Sequence, residues 1–155
     1  MNDMVWMRWV LQTARRWEDI AGIVQPIGIE VIDTDHRIFT EYVLELNGLI
    51  DSLKDKTGSG VQIGLEKDIF RKILDYTQFH FAREEEIMQH MHLPGYVYHR
   101  RQHEYVFELV SGLCRDFEAG RVHISEKLKV TLLDWWVRHI NVVDVGTFVR
   151  KEAFE

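Results

Sequence analysis

The chain has 155 residues, 46% of them hydrophobic and 28% charged, with two prolines and a net charge of −6. That profile suits one globular, helix-rich domain whose core needs neither disulfide nor metal as a staple. No basic run interleaves with aromatics, which excludes a nucleic-acid groove. The single cysteine, Cys114, excludes an internal disulfide, and no apolar stretch is long enough to span a bilayer. The expected location is the cytoplasm.

Residues 1–20 carry Trp6, Val10, Thr13 and Trp17 at helical spacing, the pattern of a short fifth helix set apart as an N-terminal extension from the domain at 21–155. Three roles are open to it: packing on the domain, docking a partner or membrane surface, or forming a disordered tail. The first core helix is expected over about 35–53, where Ile38, Phe39, Tyr42, Val43, Leu46, Leu49 and Ile50 recur every three or four positions. Gly58, Ser59, Gly60 and Gly64 place a loop over about 54–64. A long second helix is expected from about Leu65 through Ile69, Ile73, Tyr76, His80, Ile87 and Met88, with Pro94 and Gly95 as its stop. The third runs from about Tyr98 through Val106, Phe107, Val110 and Phe117 to Gly120. Ser125 and Glu126 open the fourth, which carries Leu128, Leu132, Trp135, Trp136, His139 and Ile140. Four amphipathic helices on short connections predict an all-α, antiparallel up-down-up-down four-helix bundle.

Histidines and acids fall on these helices at spacings that chemistry needs. His80 and Glu84 stand four apart, so on a helix they share one face. His99 and His103 repeat that spacing on the next helix, and two imidazoles one turn apart converge on a metal without backbone strain. His36 and His139 add one donor from each remaining helix. Asp144 follows His139 by five residues, about 140° away on an ideal helix, so either the helix distorts there or Asp144 reaches round from the bundle edge. A lone bundle histidine is more often a surface or hydrogen-bonded core residue, but seven donors with two such pairs reverse that reading. His90, His92 and His123 lie near helix ends without partners and are left out of the site. Glu85 and Glu86 are expected to point off the ligand face as solvated charge, and Cys114 to be a small buried hydrophobe.

If Glu84 and Asp144 each bridge two octahedral metals and an oxide or hydroxide bridges them too, five histidines leave one vacancy. It falls on the metal with two histidines and is the size a diatomic ligand needs. Imidazole and carboxylate donors without thiolate suit iron and would also accept zinc, copper or nickel. Fewer carboxylates than in oxygenase-type di-iron bundles favour binding oxygen over breaking its bond. Phe81, Phe107 and Trp136 sit one residue or one turn from these donors and are expected to line a dry oxygen pocket, a role weighed against ordinary core packing.

The runs Asp35-His36, His80-Phe81-Ala82-Arg83-Glu84-Glu85, Met88, Pro94, His99-Arg100-Arg101-Gln102-His103 and Trp136 to Asp144 resemble the hemerythrin family, bacterial hemerythrins above all, over about residues 27–148. The resemblance implies that His99, His103 and His139 hold one iron, His36 and His80 the other, and Glu84 and Asp144 bridge them. It implies an oxygen-bridged pair of irons that takes up and releases dioxygen for storage, transport or delivery, with no catalytic residue. An oxygen-consuming enzyme or redox partner would meet the chain through its N-terminal segment. The competing readings are a di-iron enzyme acting on peroxide or nitric oxide and an oxygen or redox sensor module. Leu93 departs from the tyrosine the family often places before Pro94.

Overall fold

The computed structural model describes residues 10–52, 60–121 and 126–154. All regular structure among them is helical. Four long elements form the bundle: α1 (Glu30–Ser52), α2 (Gly60–His90), α3 (Tyr96–Glu118) and α4 (Glu126–Arg138), the last continuing without a break as a π-helix over His139–Val149. In chain order α1 packs on α2 and α2 on α3, the π-helix packs on α3, and α4 closes the ring against α1. Buried positions on α2 step through Glu66, Ile69, Phe70, Ile73, Thr77, His80, Phe81, Glu84 and Met88, the three-and-four rhythm of one inward face.

Two helix starts precede their predicted positions. The first core helix begins at Glu30 rather than near Asp35 because the chain turns at Gly28, with φ of +86°. Asp33 holds that turn, its carboxylate accepting the backbone N–H groups of Ile27 at 2.7 Å and Gly28 at 3.0 Å. The cap thus comes from inside the helix rather than from the residue before it. The second begins at Gly60 and runs through Gly64. Glycine lowers helix propensity by about 1 kcal/mol, an amount tertiary packing outweighs.

The ends of α2 and α3 are closed by left-handed residues. Gly120, at φ +71°, and the bond from Arg121 N to Asp116 O end α3 where expected. At the end of α2 the same position is His92, at φ +51°, with Leu93 N bonded back to Met88 O. His90 and His92 are exposed, and Leu93 is buried.

Leu11, Ala14 and Ile20 lie in the main apolar core with Phe39, Phe70, Val110 and Leu133, so residues 10–20 pack on the bundle. A helical turn at Trp17–Ile20 belongs to this stretch, and Arg37 lies over the Trp17 ring at 5.9 Å. Trp6, Ser125 and His123, most of the expected 54–64 loop, and the side chains of Leu49, Ile50 and Leu128 lie outside the described residues. Cys114 is buried in the main core.

A second, smaller apolar cluster joins Ile27, Ile32, Met88, Leu93, Val145 and Phe148. The residues between the two clusters on each helix are polar: His36 on α1, His80 and Glu84 on α2, and His139 and Asp144 on the π-helix. The C-terminal stretch folds back over this end, Phe154 stacking on Tyr98 at 4.6 Å. It crosses so close to Gly95 that a Cβ there would sit 2.7 Å from the Glu152 carbonyl oxygen.

Candidate metal centre

Seven side chains from separate stretches converge between the two apolar clusters. His36, His80, Glu84, His99, His103, His139 and Asp144 are each at most 3% exposed. Their ligand atoms sort into two groups, Glu84, His99, His103, His139 and Asp144 in one, His36, His80, Glu84 and Asp144 in the other. Within each group the atoms lie within 4.8 Å of one another. Both carboxylates belong to both groups.

How each acid divides its oxygens follows from the distances. Glu84 turns Oε1 toward Nε2 of His36 and of His80, both at 3.3 Å. Its other oxygen, Oε2, faces Nε2 of His103 at 3.1 Å and of His99 at 3.5 Å. Asp144 does likewise, with Oδ2 3.0 Å from His36 Nε2 and Oδ1 2.9 Å and 3.1 Å from Nε2 of His99 and His139. Each carboxylate therefore spans a two-histidine and a three-histidine cluster, the geometry of a bridge between two cations.

The phase of Asp144 comes from the backbone. In a π-helix the hydrogen bonds reach one residue further than in an α-helix, so the wider turn brings the fifth position, about 140° away on an α-helix, round toward the face of the first. Local distortion, rather than a reach from the bundle edge, puts Asp144 beside His139. The segment is apolar on most sides, with Ile140, Val145, Gly146, Thr147 and Phe148 buried alongside the two donors.

A second ring of hydrogen bonds aims the imidazoles. His80 Nδ1 lies 3.3 Å from Oδ2 of the buried Asp35, whose Oδ1 accepts the Tyr76 hydroxyl at 2.8 Å and Arg83 at 3.0 Å. His103 Nδ1 lies 3.0 Å from Glu85 Oε1, and His99 Nδ1 2.9 Å from the Thr147 hydroxyl. Carboxylates only accept, so His80 and His103 donate through Nδ1 and point an Nε2 lone pair at the centre. Thr40 caps the His36 carbonyl at 2.6 Å and accepts Trp136 Nε1 at 2.9 Å.

Sequence reasoning missed Asp35, Tyr76, Arg83, Thr147 and Thr40 as supports, although Asp35 adjoins a donor histidine. It also misread Glu85. That side chain is 26% exposed and hydrogen-bonded to His103, because a residue beside an inward carboxylate lies along the α2–α3 seam rather than opposite it. Glu86 is exposed as expected.

The aromatic residues expected around the centre divide. Phe81 is buried with its ring stacked on His103 at 3.8 Å. Trp136 is fully buried, its ring edge-on to His36 at 5.6 Å and His80 at 5.5 Å. Phe107 is half-buried on an open cleft of about 210 Å³ that it shares with Phe81, Glu85 and His103.

Electrostatics show what this cluster requires. Burial opposes charge on His36, but Asp144 and Glu84 outweigh it and hold the imidazole up at about 10; the same contest raises His99 to about 9. Burial also opposes ionisation of Glu84 and Asp144, yet the surrounding histidines, His80 foremost for Glu84 and His139 for Asp144, keep both well below the usual carboxylate range. His139 is lowered, since burial and the neighbouring His103 and His99 outweigh Asp144. The Nε2 atoms of His80, His99, His103 and His139, Glu84 Oε2 and both Asp144 oxygens are buried without a hydrogen-bond partner. Each unmatched group costs about 1–3 kcal/mol, more when charged, and four imidazole nitrogens and two acids left unmatched around one space fit cations. The donor set has the nitrogen and oxygen character of a non-haem iron, zinc or copper site.

Residues 27–145 match the family described as Hemerythrin HHE cation binding domain. The chain belongs to the hemerythrin family. Among its relatives is a bacteriohemerythrin of Stenotrophomonas maltophilia, 32% identical over 124 residues that cover 80% of this chain and 72% of that protein. The bacteriohemerythrin of Pseudomonas aeruginosa is 31% identical over 122 residues, 77% of this chain and 72% of the relative. That of Methylococcus capsulatus is 29% identical over 112 residues, 72% of this chain and 79% of the relative. No solved structure matches significantly. As a member of the hemerythrin family the chain carries a helical cation-binding domain, and no helix among its described residues is long and apolar enough to cross a membrane.

Proposed function

We propose that this protein binds dioxygen reversibly at a pair of non-haem irons, for storage, transport or delivery of oxygen. His99, His103 and His139 would hold one iron, His36 and His80 the other, with Glu84 and Asp144 shared. The observation that carries the reading is the division of each carboxylate between the two histidine clusters. When bound, the ferrous pair supplies the electrons and the open position that dioxygen uptake needs.

The chain's own residues do the rest. Asp35 holds His80 with its Nδ1 proton outward, so the ring presents a lone pair where a cation is needed. Trp136, anchored through Thr40, packs against both histidines of the less-ligated cluster and keeps bulk water from it. Phe81 covers the outer face of His103. Oxygen would enter a pocket whose nearby side chains are mostly apolar and would leave it unchanged. An oxygen-consuming enzyme or a redox protein is the class of partner this implies, and the bacterial cytoplasm the expected setting.

Anaerobic reconstitution with ferrous iron tests the reading. Uptake of two irons per chain, with a charge-transfer band that rises under oxygen and fades on degassing, supports it. Irreversible oxidation at first exposure, or steady turnover of peroxide or nitric oxide with a reductant, supports a di-iron enzyme instead.

A further inference from the structure

We propose that Glu85 is the transit ligand through which divalent iron enters and leaves the buried centre, by way of the open cleft at His103. The inference rests on the two-metal reading above and adds a route to it.

Of the donors to the centre, His103 is the one that borders this cleft, whose lining includes Phe81, Glu85, Glu104 and Phe107. Glu85 sits across that border. Its side chain is 26% exposed, its Oε1 lies 3.0 Å from His103 Nδ1, and the other nitrogen of that ring lies 3.1 Å from Glu84 Oε2. Glu85, the His103 ring and the shared carboxylate thus stand in contact, one after another, from the cleft to the centre.

Among the described residues, the other carboxylate outside the donor set that pairs with a donor histidine is Asp35. It is 2% exposed and already paired with Arg83 and Tyr76, so it cannot gather an ion from solution. Glu104, also on the cleft, is engaged by Arg100 at 3.1 Å. Glu85 has no arginine or lysine at ion-pair distance among the described residues. A hydrated cation in the cleft therefore meets a carboxylate that can replace its first water, beside an imidazole whose lone pair lies on the inner nitrogen. The hydrogen bond to Glu85 also tethers the outer edge of the His103 ring. When Glu85 turns to take the ion, the His103 Nδ1–H loses its acceptor, and the ring, still sliding against Phe81 with its proton kept on Nδ1, can turn its Nε2 lone pair toward the cleft and back to carry the ion inward.

The test is exchange of bound iron in the diferrous holoprotein against excess isotopically labelled ferrous ion, without oxygen, in wild type, Glu85→Gln and Glu86→Gln. The Glu85→Gln side chain keeps a carbonyl oxygen to accept the His103 proton but loses the charge that gathers a cation. Exchange should slow about tenfold in Glu85→Gln and stay at the wild-type rate in Glu86→Gln, whose exposed acid lies off the cleft. Equilibrium iron content should match wild type in Glu86→Gln, and for Glu85→Gln the exchange rate is the deciding readout. A residue that merely steadied His103 would have the opposite sign, since a looser ligand speeds iron loss. Exchange that is unchanged or faster in Glu85→Gln, or equally slowed in Glu86→Gln, overturns the proposal. Wild-type iron content below two per chain would instead defeat the two-metal reading, so the two failures are distinguishable.

Discussion

Asp35→Asn separates the two halves of the centre. Asp35 accepts three hydrogen bonds while almost wholly buried: Tyr76 at 2.8 Å, Arg83 at 3.0 Å and His80 Nδ1 at 3.3 Å. The amide keeps one oxygen, which Tyr76 and Arg83 retain, and turns an NH2 group toward His80 Nδ1. Two donors then face each other, and the cheapest relief is for His80 to move its proton to Nε2, the atom that faces the centre. Affinity at the two-histidine position should fall about 10–100-fold, roughly 1.4–2.8 kcal/mol, while the three-histidine position, supported by Thr147 and Glu85, changes little. Replacing the charged acceptor of Arg83 should also cost about 1.5–3 kcal/mol of folding stability. Ferrous iron titrated anaerobically against a competing chelator reads the two affinities, and urea unfolding of the metal-free chain reads the stability. Equal weakening of both positions, or of neither, would refute the reasoning.

Trp136→Phe leaves a void in the fully buried core and strips Thr40 of its indole donor. It should cost about 2–4 kcal/mol in a denaturant melt and speed irreversible oxidation of the loaded protein, read as loss of the reversible optical cycle. The metal-free chain should lose stability as pH rises. His36 and His99 are raised from 6.5 to about 10 and about 9, so their contribution is complete below 6.5 and disappears as pH climbs through those values. Melting temperatures of the metal-free chain between pH 6.5 and 10 check this. Iron must displace the same protons, so occupancy at fixed chelator should rise over that range and loading should release protons to a weakly buffered solution.

The bundle and its donors were legible because both depend on local spacing. His80 with Glu84 and His99 with His103 needed only helical phase, and the inward faces followed from apolar rhythm. What escaped was set by tertiary contact. The five-residue step from His139 to Asp144 left open whether the helix distorts or the acid reaches round, because a π-helix has no composition that distinguishes it from the end of an α-helix. Asp33 caps the first helix from within, so a search for a polar residue just before the helix passes over it. Glu85 and Thr147 became visible as supports only when α2 and the π-helix were set beside α3, since nothing in their own stretches names a histidine 18 or 48 positions away.

The central claim is that two metals share Glu84 and Asp144. Anomalous diffraction at the iron edge from crystals of the reconstituted protein tests it most directly. Two peaks are predicted, one among His99, His103 and His139 and the other beside His36 and His80, with both carboxylates between them. A single peak, or iron held away from either acid, would contradict the account.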